Sequence, residues 1–284
     1  PTPDNPNKDG SDYKQLDRMR EKYKGHPRIG PIITPHSPYT CCDDTLKKAT
    51  DYALKYDLPL TIHVAETKHE FDESLKKHAS TPVNRLHNLG IGETNAIYAH
   101  CVHLDEKDFT LLQQAKIKVA HNPASNMKLS SGIAPVGKML EHDLEVALGT
   151  DSAATNNSLN MLADLKLMAL LAKVNATQNS HISSAKIFNS VLTAGAKCLP
   201  SSKPLGKIAA GHLADFILLD SESLLLIPGN DPISDIVYTG CANAVTDLFC
   251  HGKHLLDNKT LTTIDETELK TKVRSYMQKV MILD

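Results

Sequence analysis

Five short apolar runs, each followed sooner or later by a stretch of helical spacing, restrict what this chain can fold into. The runs lie in RIGPIITPHSP (with Ile33 and Thr34), LPLTIHVAE, NAIYAHCV, KIKVAHNPAS and LEVALGTDSAA. Among and after them come TCCDDTLKKATDYALKY, apolar at Leu46, Ala49, Ala53 and Leu54, then LDEKDFTLLQQA, SLNMLADLKLMALLAKV and SSAKIFNSVLTAGAKCL. Apolar residues near a 3.6-residue period mark helices, and Thr40 or Asp43 is the cap candidate for the first of them. Strands alternating with helices make a parallel sheet with helices packed on it. LTIHV and VALGT, apolar on both faces, fit strands buried on both sides. Two architectures remain, a doubly wound open sheet and a (β/α)8 barrel. A Gly-rich phosphate loop would favour the first, and neither G-x-G-x-x-G nor GK[ST] occurs.

From about residue 204 the pattern changes. PLGKIAAGHLADFILLD and VTDLFCHGKHLLDNKT read as short, Gly-punctuated strands and turns, and ETELKTKVRSYMQKVM as a surface helix. The expected organisation is a β/α domain over 1–203, a small β element over 204–263 and a terminal helix over 264–284. The opening PTPDNPNKDGSDYK is polar and Pro-rich, like a loop between elements. With 284 residues, 41% of them hydrophobic, the chain can bury a large core. A formal net charge of −2 argues against the basic face of a nucleic-acid or membrane-surface protein. No apolar stretch approaches the ~20 residues of a membrane span. The six cysteines form no C-x-x-C pair, so reduced thiols in a cytoplasmic protein are expected rather than a disulfide framework.

The unusual polar residues fall at the carboxyl ends of the strands. His36 ends the first, His63 the second with Glu66 just beyond, His100 the third, His121-Asn122 the fourth and Asp151-Ser152 the fifth. A parallel barrel builds its active site at that end. A single histidine there is ordinarily a satisfied rim residue; five successive strand ends bearing His or Asp point to chemistry. Imidazole and carboxylate suit Zn²⁺ or Fe²⁺, which lowers the pKa of a bound water toward ~7. Glu66, three residues past His63, is placed to shuttle a proton as general acid and base.

TPHSPYT, IHVAET, AHCVHL, HNPASNMKLSSGIAPV and LGTDSAATNNSLN resemble the amidohydrolase superfamily, and more closely the 5-methylthioadenosine/S-adenosylhomocysteine deaminases and their chlorohydrolase-like relatives. The resemblance runs from about residue 28 to the end, with PLGKIAAGHLADFILLD resembling the returning part of that family's small β-sandwich. It implies the later part of a (β/α)8 barrel, about strands four to eight, and one divalent metal, zinc first and iron with the same ligands. His63 and Asp151 would be metal ligands, with Asp151 also taking a proton from the attacking water. Glu66 would protonate the purine ring nitrogen and His100 would orient the hydroxide. His36, Glu66, Asn122, Ser125, Asp151 and Ser152 would face the substrate, a purine nucleoside derivative whose C6 amine leaves as ammonia.

The family's first-strand His-x-His pair is nowhere in this chain, and neither His100-x-x-His103 nor His251-x-x-His254 replaces it. His63 and Asp151 remain, with His100 as the candidate third donor. The family's substrate arginine has no motif here; Arg18, Arg20 and Arg28 are the candidates. The chain therefore reads as the C-terminal portion of a longer enzyme, impaired on its own, with open strand edges that a partner chain could cover. The alternatives are a hydrolase of the same superfamily acting on a guanine, triazine or chlorinated ring, and a catalytically dead fragment acting as a binding module. A homo-oligomer is compatible with the sequence. Several features read as structural: HEFDE as a solvated helix start, Cys41-Cys42 as small buried residues near the rim, and Met161, Leu162, Leu165, Met168 and Ala169 as a core face.

Overall fold

The computed structural model describes residues 11–176, 182–199 and 204–280. Its first part runs α1 (Ser11–Lys22), α2 (Asp43–Tyr56), β1 (Leu60–Val64), α3 (Lys68–His78), α4 (Pro82–Asn88), β2 (Ala96–His100), α5 (Glu106–Gln114), β3 (Lys118–His121), α6 (Pro123–Lys128), α7 (Val136–Glu141), β4 (Glu145–Leu148), α8 (Ala153–Asn156), α9 (Met161–Val174) and α10 (Ser184–Cys198). The four strands are all parallel and pair in sequence order, β1-β2-β3-β4. A doubly wound sheet reverses its strand order at a switch point, and a barrel does not. The sequential order settles the choice for the barrel type.

The first expected strand forms only one bridge, Ile33 to Leu60. The segment still runs beside β1, with Ile33 N–H on Pro59 O, Thr61 N–H on Ile33 O and His63 N–H on His36 O. Pro35 has no N–H to donate, which interrupts the ladder. β1 is also not buried on both faces. Leu60, Ile62 and Val64 are buried, whereas Thr61 and His63 lie on the half-exposed opposite face. The buried face packs with Tyr98, Val119 and Val146 from the neighbouring strands and with Leu46, Leu86, Phe109, Leu112, Met139, Met168 and Ile187 from the helices.

The cap of α2 differs from expectation. Cys42 is its N-cap and makes no side-chain cap bond, while Thr40 bonds His36. Cys41 is buried but Cys42 is exposed, and none of the six cysteines is in a disulfide. α9 buries Leu165, Met168, Ala169 and Ala172, but Met161 at its first turn is exposed. The reading of the chain start as a loop fails at Ser11, where α1 begins; the residues before it lie outside the described ones. α5 opens with a capping box. The Asp105 side chain takes the N–H groups of Lys107 and Asp108 at 2.9 and 3.0 Å, and the Asp108 carboxylate takes that of Asp105 at 3.0 Å. Asp105→Ala is expected to lower stability by ~1 kcal/mol in urea unfolding.

The second part holds β5 (Phe216–Leu219), α11 (Pro232–Thr239), β6 (Val245–Cys250), β7 (Lys253–Asp257), β8 (Thr260–Leu261) and α12 (Glu266–Val280). β5 to β8 form one antiparallel sheet in that order, with no strand residue fully buried. α12 has no buried residue, as a surface helix should. The sequence pattern had not marked α4 or α11.

Candidate active site

The site grows from three strand ends. His63 lies on the half-exposed face of β1. Its Nδ1–H donates to the His36 carbonyl at 2.6 Å, and the same carbonyl takes the His63 backbone N–H at 3.1 Å. A carbonyl can only accept, so Nδ1 carries a proton, and in the neutral imidazole that leaves the lone pair on Nε2. Metal-ligating imidazoles are oriented in this way, by a carbonyl or carboxylate behind the ring.

His100 is opposite Val64 in the parallel register, and His63 is opposite Ala99. Strict alternation would send the His100 ring to the helix side. A left-handed backbone, φ 73°, breaks the alternation, and the ring stacks on His63 with centroids 5.4 Å apart. His100 Nδ1 bonds Asn126 Oδ1 at 2.8 Å, and Nε2 lies 3.7 Å from the Glu66 carboxylate. Ala65, Cys101 and Asp151 are also left-handed, at φ 51°, 48° and 58°. Such non-glycine residues cost ~1–3 kcal/mol each and concentrate where function needs a side chain re-aimed.

Glu66 takes a long hydrogen bond from the Ser131 hydroxyl at 3.3 Å. His36 is exposed, bonds Thr40 Oγ1 at 2.8 Å and lies 4.9 Å from the His63 ring; burial and His63 hold it below the usual imidazole range. Asp151 accepts the hydroxyls of Ser125 at 2.6 Å and Thr155 at 3.0 Å. Burial pushes its carboxyl up, but these hydroxyls and the Ser152 N–H outweigh that and hold it below the ordinary value.

His36, His63, His100 and Glu66 thus form one run of contacts, and Asp151 and Ser125 a second. Two expected substrate residues lie outside these runs. Asn122 is buried with Oδ1 so close to the Gly149 backbone that an added Cβ there would come within 2.3 Å of it. Ser152 is exposed, and its hydroxyl lies 3.4 Å from Thr155 Oγ1. Of the candidate arginines, Arg20 lies over the Tyr56 ring at 4.1 Å.

Sequence reasoning passed over Asn126, Ser131, Thr155 and Glu70. HEFDE is not wholly solvated, because Glu70 is 4% exposed. Thr67-x-x-Glu70 is a capping-box spacing, and that signal could have found it. His121 is buried with no hydrogen-bond partner on either ring nitrogen among the described residues; burial and His100 push it down to about 3. Asp164, 1% exposed, accepts Asn156 Nδ2 at 2.8 Å and the Ala124 N–H at 3.3 Å, while Asn156 Nδ2 also donates to Thr150 O. It ties the turns after β3 and β4 together. Asp164→Ala is expected to cost ~1–3 kcal/mol in urea unfolding, since buried donors lose their acceptor.

In type, the donors fit a borderline divalent metal: two imidazoles with Nδ1 engaged outward and a carboxylate held by hydroxyls. Among the described residues, three such side chains with all ligand atoms within 4.8 Å occur only at Asp247, His254 and Asp257 on β6 and β7. There His254 Nε2 already bonds Asp247 at 2.8 Å. Two clefts, about 400 and 360 Å³, flank α3, and none of His36, His63, His100 and Asp151 lines them. Among the described residues, no helix is long and apolar enough to cross a membrane.

Fold and site together define a β/α-barrel protein with an imidazole–carboxylate cluster at its strand ends. The chain belongs to the Amidohydrolase family, whose model matches residues 3–255. It is 39% identical over 251 residues to the 5-methylthioadenosine/S-adenosylhomocysteine deaminase of Desulforamulus reducens, covering 88% of this chain and 58% of the relative. It is 39% identical over 259 residues to the 5′-deoxyadenosine deaminase of Methanopyrus kandleri, covering 91% and 60%. Among solved structures, an adenosine deaminase from Xanthomonas campestris with bound zinc superposes with a TM-score of 0.89 at 27% identity, over 95% of this chain and 62% of that one. A point mutant of atrazine chlorohydrolase from Arthrobacter aurescens, complexed with zinc and atraton, shares the fold at a TM-score of 0.81 and 19% identity, over 92% of this chain and 59% of that one. The chain spans about three fifths of the length of the relatives it matches.

Proposed function

We propose that this protein serves metal-dependent hydrolytic deamination of adenosine derivatives of the 5-methylthioadenosine or S-adenosylhomocysteine type. Water adds to the purine C6, the C6–N bond breaks, and the amine leaves as ammonia. The observation that carries the reading is the Glu66 carboxylate 3.7 Å from His100 Nε2, beside a His63 whose free Nε2 is fixed by the His36 carbonyl. Deaminase relatives at 39% identity support the substrate class. The zinc in the Xanthomonas campestris structure supports zinc as the metal.

His63 and Asp151 would hold the metal, with His100 as third donor or neighbour, and when bound it supplies a water that ionises near neutral pH. Around that chemistry the side chains divide the proton work. Asp151, held ionised by the Ser125 and Thr155 hydroxyls, accepts a proton from the attacking water. His100 orients that water through Nε2. Glu66 delivers a proton to the ring nitrogen, the proton taken up by Asp151 passes to the departing amine, and the second proton of the water returns to Glu66. His36, on the exposed rim, meets the substrate. The partner is thus a small nucleoside, and the cytoplasm supplies it.

The test is ammonia release from 5-methylthioadenosine by the purified 284-residue chain with added zinc. Slow release that stops with a chelator is expected, because the chain lacks the His-x-His donors. No release at full zinc occupancy sinks the proposal, and chloride from a chlorotriazine in place of ammonia would move it to another ring.

A further inference from the structure

One buried carboxylate has no part in the chemistry above. Glu70 lies in the first turn of α3 and is 4% exposed. Its Oε1 accepts the Ala65 N–H at 2.9 Å and its Oε2 the Glu66 N–H at 2.8 Å. Both oxygens therefore clamp two successive amides where the chain leaves β1. The Glu70 backbone N–H is itself held by Thr67 Oγ1 at 3.1 Å. On the other side of the same peptide, Ala65 O accepts the N–H groups of Val102 and His103, both at 3.0 Å. Ala65, at φ 51°, is thus fixed in a left-handed conformation from both sides.

This turn decides where Glu66 points. Continued alternation past Val64 would place Ala65 on the half-exposed face and Glu66 on the helix side. The left-handed Ala65 instead turns the Glu66 carboxylate toward His100 Nε2 and Ser131. Glu70 is 4% exposed and Ala65 fully buried, which leaves little solvent access to the clamp. Burial pushes the Glu70 carboxyl up, whereas the Ala65 and Glu66 amides pull it down.

We infer that Glu70 is a positioning residue, which acts through the Ala65–Glu66 backbone to aim the Glu66 carboxylate at the reacting centre. This rests on the deaminase reading above. In Glu70→Gln, one acceptor oxygen becomes an NH₂ that faces a backbone N–H and cannot accept it. Two readouts test the role. Hydrogen exchange, followed by NMR, needs no activity. The Ala65 and Glu66 amides are protected in the wild type and exchange at least about tenfold faster in Glu70→Gln, while the His63 amide is unchanged.

The second readout is a double-mutant cycle on deamination. Glu70→Gln lowers kcat about tenfold with KM and zinc content unchanged, as misplacement of a catalytic group does. In a Glu66→Asp background, where the carboxylate is already displaced, the same change has less than a twofold further effect. Equal losses in both backgrounds, or unprotected Ala65 and Glu66 amides in the wild type, overturn the inference. If Glu70→Gln does not fold, Glu70→Asp, too short to span both amides, gives the same comparison. A wild type without deaminase activity counts against the proposed function, and the exchange readout still decides the clamp.

Discussion

Under the proposed function, Glu66→Gln is expected to lower kcat for ammonia release from 5-methylthioadenosine by on the order of 10²–10⁴-fold, the range removed with a general acid–base. Gln keeps the shape and a hydrogen-bonding oxygen for Ser131 but cannot carry a proton. Zinc content and urea stability are expected to match the wild type, because the Glu66 carboxylate is only part-buried and its one hydrogen bond among the described residues is the long one from Ser131 at 3.3 Å. Steady-state kinetics with zinc analysis on the same preparation check this. Unchanged kcat would remove Glu66 from the mechanism and leave its approach to His100 as packing.

The second large effect is on metal binding. Asp151→Asn and His63→Ala are each expected to lower zinc affinity by more than ~10²-fold, beyond the 10–100-fold cost of losing a group behind a ligand. Ser125→Ala removes only the 2.6 Å bond to Asp151 and is expected to fall within that smaller range. Zinc titration followed by calorimetry measures all three. A His254→Ala control separates the site from the Asp247, His254 and Asp257 group on β6 and β7. If His254→Ala loses the zinc and His63→Ala keeps it, the metal belongs to the small sheet.

The alternation of strands and helices, and the strand-end positions of His36, His63, His100 and Asp151, were legible because both rest on local pattern. What was not legible rests on backbone geometry. Pro35 reads as a turn residue, but its missing N–H also reduces a strand to one bridge at Ile33. Nothing in AHCVHL announces the left-handed His100 that turns its ring onto His63. Asn126 and Glu70 act across 26 residues and across a strand–helix turn, so only the fold brings them to His100 and Ala65. The Asn122 amide was expected at the substrate, and nothing in its sequence context announced that the small size of Gly149 lets its Oδ1 lie against the backbone. The types of the candidate catalytic side chains were readable, whereas Asn126 and Glu70, which hold others in place, looked like any surface residue.

Ammonia released from 5-methylthioadenosine, measured against zinc bound per chain, tests the central claim most directly. The account expects release to rise in proportion to zinc up to one ion per chain, to vanish with a chelator, and to fall by at least ~10²-fold in Glu66→Gln at equal zinc. Ammonia from a zinc-free chain, or one bound zinc and no ammonia, would contradict it.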